Sequence, residues 1–429
     1  MSFDKISVIG LGYIGLPTAA MFASRKKKVI GVDVNPKAVD TINQGQIHIV
    51  EPDLDMLVHA AVKEGYLRAS TKPEQADAFL IAVPTPFLPK ENKSDIPQPD
   101  LSYIESAAKS IAPVIKKGDL IILESTSPVG ATEQLEQWLA EARPDLTFPS
   151  SNGESSDIRM AHCPERVLPG LVIKELVEND RVIGGLTNLC SQKAVELYKT
   201  FVKGECVITN ARTAEMAKLT ENSFRDVNIA FANELSIICD KLDINVWELI
   251  KLANRHPRVN ILQPGPGVGG HCIAVDPWFI VSKTPEEAQL IRTARKVNDS
   301  KPDWVIEKVK QAIGEYLLEN PDKTAKDVTI ACYGLTFKPD IDDLRESPAL
   351  EITNRIAKMH PGTIFGIEPN ISQLPKHIKN IKRVNFEKAI QDANIHLMMV
   401  DHKEFLESKL SSMNNKFLVD TKGIEIRYP

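Results

Sequence analysis

The sequence predicts an α/β protein: two doubly wound domains joined by a central helical segment that contains one long helix. Three observations predict it. A short apolar strand runs straight into Gly10-Leu-Gly-Tyr-Ile-Gly15. Apolar residues recur at three- and four-residue spacings over residues 213–242. A second set of short apolar runs follows from residue 328 onward. We divide the chain into residues 1–210, 211–320 and 321–429 on this basis.

At 429 residues the chain can bury two or three cores. Hydrophobic residues make up 43% and charged ones 25%, the usual mix of a globular protein. The formal net charge of −5 argues against nucleic acid as a partner, although a local basic pocket for phosphate stays open. The six cysteines (Cys163, Cys190, Cys206, Cys239, Cys272 and Cys332) form no Cys-x-x-Cys pair. That spacing fits neither a disulfide framework nor a zinc site, and it favours a reducing cytoplasm. No signal-peptide pattern and no run of 18 apolar residues is found, so no membrane partner is expected.

In the first domain, Ile6–Ile9 reads as a strand, Leu16–Ser24 as a helix and residues 29–33 as a second strand ending in Asp33. This is the dinucleotide fingerprint in its proper context, and it makes the domain Rossmann-like. Gly10 permits the turn, Gly12 lets a pyrophosphate approach the backbone, and Gly15 lets helix and strand pack closely. The amides of Tyr13 and Ile14 face the pyrophosphate from a helix N-terminus. Asp33 accepts from the adenosine ribose, which favours NAD over NADP. Strands at 79–83 and 120–123 end in polar loops that present Thr85 and Thr126 to the cofactor edge. Both also read as ordinary turn residues. Residues 84–99 carry five prolines and suggest a stiff excursion, and 153–157 a loose loop. A short strand ends in Pro164-Glu-Arg166. Glu165 is placed to order a water and Arg166 to meet a phosphate or sugar; a surface salt bridge is the plain alternative for both.

The long helix carries Met216, Leu219, Val227, Phe231, Leu235 and Ile238 at core-like spacing. Lys218, Asn222 and Arg225 share one stripe of it, at i, i+4 and i+7. A solvated face would explain any one of them; three together suggest the wall of a site. Arg255-His-Pro-Arg-Val-Asn260 then offers guanidiniums suited to diphosphate. It leads into Gly265-Pro-Gly-Val-Gly-Gly-His-Cys-Ile-Ala-Val-Asp-Pro277, a glycine-rich loop that can expose the Cys272 thiol. Alone, Cys272 reads equally well as a small buried residue. His271 is its neighbour in sequence, but adjacent side chains diverge, so a Cys-His dyad is not expected. Residues 286–318 return to helical spacing. Past them come a strand at 328–333, a helix at 349–359 and strands at 363–367, 396–400 and 417–419. Lys338, Arg345 and Lys422 fall in loops after these strands, where basic groups suit a nucleotide phosphate.

These motifs, in this order, resemble the UDP-glucose/UDP-N-acetylmannosamine 6-dehydrogenase family. The shared segments are Gly-x-Gly-x-x-Gly, Ser-Thr-x-Pro-Val-Gly, Pro-Glu-Arg, Lys-x-x-x-Asn-Ser-Phe, Gly-Gly-x-Cys-x-x-x-Asp and Phe-Lys-x-x-x-x-Asp-x-Arg-Glu-Ser. The resemblance covers nearly the whole chain. It implies oxidation of a UDP-sugar primary alcohol to a carboxylate with NAD, through a thiohemiacetal and a thioester on Cys272. It implies Lys218 as acid/base and oxyanion partner, Asn222 and Asp276 as its supports, and Glu165 among the catalytic residues. It implies cofactor contacts at Tyr13, Ile14, Asp33, Thr85, Thr126 and Arg345. It implies substrate contacts at Arg166, Val167, Lys218, Asn222, Arg225, His256, Arg258, Gly269, Phe337, Lys338 and Lys422, with His256 and Arg258 reaching across a homodimer interface. Val275 and Pro169 depart from the residues usual in UDP-glucose enzymes and argue against UDP-glucose; the resemblance implies UDP-N-acetyl-D-mannosamine as substrate, with UDP-N-acetyl-D-glucosamine as the alternative. A two-electron hydroxyacid dehydrogenase would need neither Cys272 nor the third segment, and a nucleotide-sugar-binding regulator would reduce no NAD.

Overall fold

The computed structural model describes residues 3–49, 51–89, 96–168, 170–270, 272–375, 378–407 and 417–424. Pro169, His271 and part of the proline-rich excursion lie outside them, and so do the readings that rest on them. The chain forms two compact units: Met1–Glu221 with Trp278–Pro285, and Asn222–Pro277 with Glu286–Pro429.

The first unit is built on an eight-stranded sheet. Its strands are β1 (Lys5–Ile9), β2 (Lys28–Val32), β3 (Leu67–Ser70), β4 (Ala78–Ile81), β5 (Leu120–Leu123), β6 (Arg159–His162), β7 (Arg181–Gly185) and β8 (Cys206–Asn210). They lie in the order β3-β2-β1-β4-β5-β6-β7-β8. The first six follow the doubly wound order, and the sheet reverses direction of growth between β1 and β4. All neighbours are parallel except β6 and β7, which pair antiparallel through Ala161↔Gly185 and His162↔Gly184. The apolar runs are explained by burial on both faces. Ala78, Leu80, Leu120 and Ile122 join the core on one side of the sheet. Phe79, Ile81, Ile121 and Leu123 join the core on the other.

The second unit holds β9 (Ile330–Tyr333), β10 (Ile364–Ile367), β11 (Lys382–Arg383), β12 (Ile395–Met398) and β13 (Leu418–Asp420), all parallel. Their order is β11-β10-β9-β12-β13, the same winding as the start of the first sheet. Helix Pro348–Met359 follows β9, capped by Ser347, whose side chain accepts from the Leu350 amide.

Two helices of 31 residues, Ala211–Lys241 and Gln289–Glu319, supply the helical segment. Asp226, Asn233 and Ser236 on the first are hydrogen-bonded to Arg295, Asn298 and Lys301 on the second. The core-like reading of the first helix is corrected here. Leu219 is buried, but Met216, Phe224, Phe231 and Ile238 are exposed, Phe224 by 71%. The periodicity therefore reports two apolar faces, of which one is open. The loop expected at 153–157 is also tighter than a loose turn: Pro149–Asn152 is helical and Gly153–Ser155 is a 3-10 turn.

Candidate active site

In the first unit the fingerprint glycines do three different things. Gly10 has φ +90°, and a Cβ there would lie 2.7 Å from the Ala82 carbonyl oxygen. A Cβ on Gly15 would lie 1.8 Å from the Gly10 oxygen. A Cβ on Gly12 would meet nothing within 4 Å. Two glycines are thus demanded by the fold, and the third keeps space open at the backbone. Helix Gly15–Ser24 starts beside that space with Ile14 as N-cap and no capping side chain. Exposed Tyr13 adjoins it. An uncapped helix end next to an open glycine fits the pyrophosphate of NAD.

Asp33 ends β2 and clasps the same turn. Its Oδ2 accepts from the Leu11 amide and its Oδ1 from the Asn35 amide, both at 2.9 Å. Thr85 and Thr126, 41 residues apart, are brought together: Thr85 Oγ1 donates to the Thr126 carbonyl at 2.6 Å. Ser125, which sequence reasoning passed over, ties the same two loops by donating to the Val83 carbonyl at 2.6 Å.

Beyond β6, Glu165 is not on the surface. It is 8% exposed and forms an ion pair with buried Arg181 at 2.9 Å. Arg166 pairs with Glu221 at 2.7 Å, and both are partly exposed. Val167 packs against the core. Lys218 is partly exposed on the long helix.

In the second unit the glycine-cysteine loop is held from three directions. The Gly265 amide donates to Asn233 Oδ1 at 2.9 Å. A Cβ on Gly269 would lie 2.5 Å from the Glu346 oxygen and 2.7 Å from Phe337 Cβ; one on Gly270 would lie 2.9 Å from the Phe337 ring. Gly269 and Phe337, both expected at the substrate, are therefore in contact. A Cβ on Gly265 would lie 4.0 Å from Lys422 Nζ, which brings that lysine to the start of the loop. Cys272 is exposed. Its carbonyl accepts from the amides of Val275 and Asp276, at 3.1 and 2.9 Å. The thiol thus stands one turn ahead of helix Asp276–Lys283. Asp276, 3% exposed, accepts from Asn222 Nδ2 at 2.5 Å.

Arg345 is held by a forked pair with Asp343, the shortest contact being 2.6 Å. Lys338, Arg225, His256 and Arg258 are exposed. The Arg258 amide donates to His256 Nδ1 at 3.3 Å. Lys422 pairs with Asp401 at 3.1 Å.

Sequence reasoning also missed Glu368, at the end of β10. Its Oε2 accepts from the amides of Leu335 and Thr336, at 2.8 and 3.1 Å, and lies 3.0 Å from His402 Nε2. Burial alone would raise this carboxyl, but the His402 hydrogen bond, His402's charge and the amides hold it below its ordinary value. An acid after the second strand was the available signal, since Asp33 occupies the same place in the first sheet.

Comparison with known proteins agrees with this construction. Residues 4–202 match the NAD binding domain of the UDP-glucose/GDP-mannose dehydrogenase family, 212–300 its central domain and 331–425 its UDP binding domain. The UDP-N-acetyl-D-mannosamine dehydrogenase of Yersinia pestis is 66% identical over 99% of this chain and 100% of its own length. A protein of Ralstonia nicotianae named NDP-N-acetyl-D-galactosaminuronic acid dehydrogenase is 62% identical over 99% of this chain and 97% of its own. The solved UDP-D-ManNAc dehydrogenase of Pyrococcus horikoshii superposes with a TM-score of 0.84 at 38% identity, covering 98% of this chain and 96% of that one. An exposed thiol in a glycine loop, an NAD-fitting turn and matches along almost the whole length lead to one statement: this chain is an NAD-dependent oxidoreductase that belongs to the UDP-glucose/GDP-mannose dehydrogenase family.

Proposed function

We propose that this enzyme oxidises the C6 alcohol of UDP-N-acetyl-D-mannosamine to the carboxylate, in two NAD-dependent steps. The observation that carries the reading is the exposed Cys272 thiol, held one turn ahead of a buried, hydrogen-bonded Asp276. Bound NAD supplies the hydride acceptor for each oxidation. Tyr13, Ile14, Asp33, Thr85, Thr126 and Arg345 are assigned to hold it. Cys272 Sγ bonds to the aldehyde carbon while the carbonyl oxygen takes a proton. After the second oxidation the sulfur carries an acyl group. Water then cleaves the C–S bond, restoring the thiol and releasing carboxylate and proton. Lys218 stabilises the oxyanions and moves protons, supported by Asn222 and Asp276, and Glu165 orders the water. Arg166, Val167, Arg225, Gly269, Phe337, Lys338 and Lys422 are assigned to the UDP-sugar.

The working unit is a homodimer, with His256 and Arg258 serving the partner's site. The open apolar face of Phe224, Phe231 and Ile238 supports this reading, as does the exposure of both residues. We assign the product to surface polysaccharide synthesis and the enzyme to the cytoplasm. No cysteine among the described residues is in a disulfide, and no helix among them is long and apolar enough to cross a membrane.

The test is to supply NAD with UDP-N-acetylmannosamine, UDP-N-acetylglucosamine or UDP-N-acetylgalactosamine, and to count NADH per sugar consumed. Two NADH and a uronate from the manno sugar are expected. One NADH per sugar would overturn the thioester route. Preference for the gluco epimer would install the alternative substrate. Preference for the galacto sugar would support a second reading, which the Ralstonia relative favours.

A further inference from the structure

A buried charged cluster lies at the carboxyl ends of β5 and β6 and the amino end of β7. Glu165 Oε2 faces Arg181 Nη2 at 2.9 Å, with 7% and 4% of the two side chains exposed. The guanidinium stacks 4.5 Å from the centroid of the Tyr198 ring and 5.6 Å from that of Phe201. Its Nη1 donates weakly to Cys163 Sγ at 3.8 Å. Tyr198, at the end of helix Asn188–Tyr198, donates its hydroxyl to Glu124 Oε1 at 2.6 Å. Glu124 directly precedes Ser125 and Thr126, the residues that tie the cofactor loops.

Burial decides the charge state of this cluster. It pushes Glu124 up to about 7, Cys163 up to about 12 and His162 down to about 3. Burial works most strongly against the Arg181 charge, but Glu165, Cys163, Tyr198 and Glu124 together outweigh it and hold the guanidinium above its ordinary value. The cluster therefore holds one lasting cation, and Glu165 is the carboxylate that faces it at 2.9 Å. Isolated burial of either would be costly; together they are tolerated. Glu165 Oε1 accepts from its neighbouring Arg166 amide at 2.8 Å. Its Oε2 meets Arg181 by charge alone, outside hydrogen-bonding geometry, and keeps hydrogen-bonding capacity.

We propose that Arg181 is a positioning residue for the hydrolytic half of the reaction: its guanidinium, braced on Tyr198, holds the Glu165 carboxylate fixed so that it can orient water at the acyl carbon. This rests on the assignment of Glu165 to that water. A fork that stacks and pairs at once is an arginine property, so lysine is not an equivalent.

The experiment compares Arg181→Lys, Glu165→Gln and the double variant Glu165→Gln/Arg181→Met. Each is assayed for steady-state turnover, for rapid NADH release in the first turnover, and for acyl adduct on Cys272 by intact mass. Arg181→Lys is expected to lower kcat on the order of tenfold to a hundredfold. It should retain the first burst of NADH and accumulate the adduct, while KM for NAD stays unchanged. A folded Arg181→Lys with native kcat and no accumulated adduct would overturn the proposal. If that variant does not fold, the double variant, which removes both buried charges, decides. A rate equal to that of Glu165→Gln supports action through Glu165; a further loss of about threefold or more overturns it. Native turnover in Glu165→Gln itself would instead refute the assignment of Glu165.

Discussion

The side-chain amide of Asn222 donates to the carboxylate of Asp276 at 2.5 Å, across 54 residues of sequence. This one bond joins the polar stripe of the long helix to the turn that carries Cys272. Asp276 is 3% exposed, so Asn222→Ala takes a hydrogen bond from a buried carboxylate, at a cost of roughly 1–3 kcal/mol. Asn222→Ala is expected to lower kcat on the order of a hundredfold while changing KM for NAD little. Steady-state kinetics with a thermal melt checks this, since a lost fold would remove both parameters together.

Cys272→Ser should separate binding from chemistry. The loop is held at Gly265, Gly269 and Gly270, and serine keeps the size and shape of the side chain, so the variant should fold and bind nucleotide normally. Uronate release should fall by about a thousandfold or more, because an alkoxide is hard to form where a thiolate forms readily. Chromatography of the products, alongside calorimetric titration with UDP, measures both.

The fingerprint glycines predict opposite outcomes for the same substitution. Gly12→Ala adds a Cβ into open space, so thermal stability should be unchanged while KM for NAD rises about tenfold or more. Gly15→Ala drives its Cβ to 1.8 Å from a backbone oxygen and should lower expression and melting temperature first. Equal melting temperatures would refute the distinction.

Lys301 predicts a pH dependence of stability. It is 1% exposed, its Nζ lies 3.6 Å from the Trp304 ring centroid, and it donates to Ser236 Oγ at 2.5 Å. Burial pulls it down to about 7 from an ordinary value of 10.5. The unfolded chain therefore binds the extra proton between these values, and stability rises with pH from about 7 to 10.5. Below pH 7 both states are protonated and the residue contributes no slope. Lys301→Met should be at least as stable at neutral pH and should lose that rise, as thermal melts across the range would show.

Asn233 is a support whose removal should be felt at a distance. Its Nδ2 donates to Asn298 Oδ1 and its Oδ1 accepts from the Gly265 amide, both at 2.9 Å. Asn233→Leu should destabilise the fold by roughly 2–4 kcal/mol through stranded buried partners. Denaturant melts test the value.

Much of the site was legible because local chemistry dictates it. The fingerprint turn demands Gly10 and Gly15 whatever surrounds them, and a thiol among four glycines announces itself. The strands were legible because burial on both faces leaves only apolar residues. β3, β7, β8 and β11 were not: β3 and β11 are short with exposed polar residues, β7 contains Arg181 and two glycines, and β8 is an edge strand whose Val207 and Ile208 are exposed. Asn233, Glu368 and Arg181 were illegible for another reason. Each acts through a partner at least 16 residues away, and no periodicity encodes such a meeting. The open face of the long helix was misread because an apolar stripe looks the same whether its cover comes from the same chain or not.

The two sheets begin with the same winding, and each sets an acid after its second strand to clasp the turn after its first. In the first, Asp33 is half-buried and each oxygen takes one amide. In the second, Glu368 is sealed at 2% exposure, and its Oε2 alone serves two amides and His402. The same scaffold thus carries its clasping acid twice, half-buried once and sealed once. A swap of Glu368 for aspartate would not create a second dinucleotide site, because the lone pairs that such a site needs are already spent inside the wall.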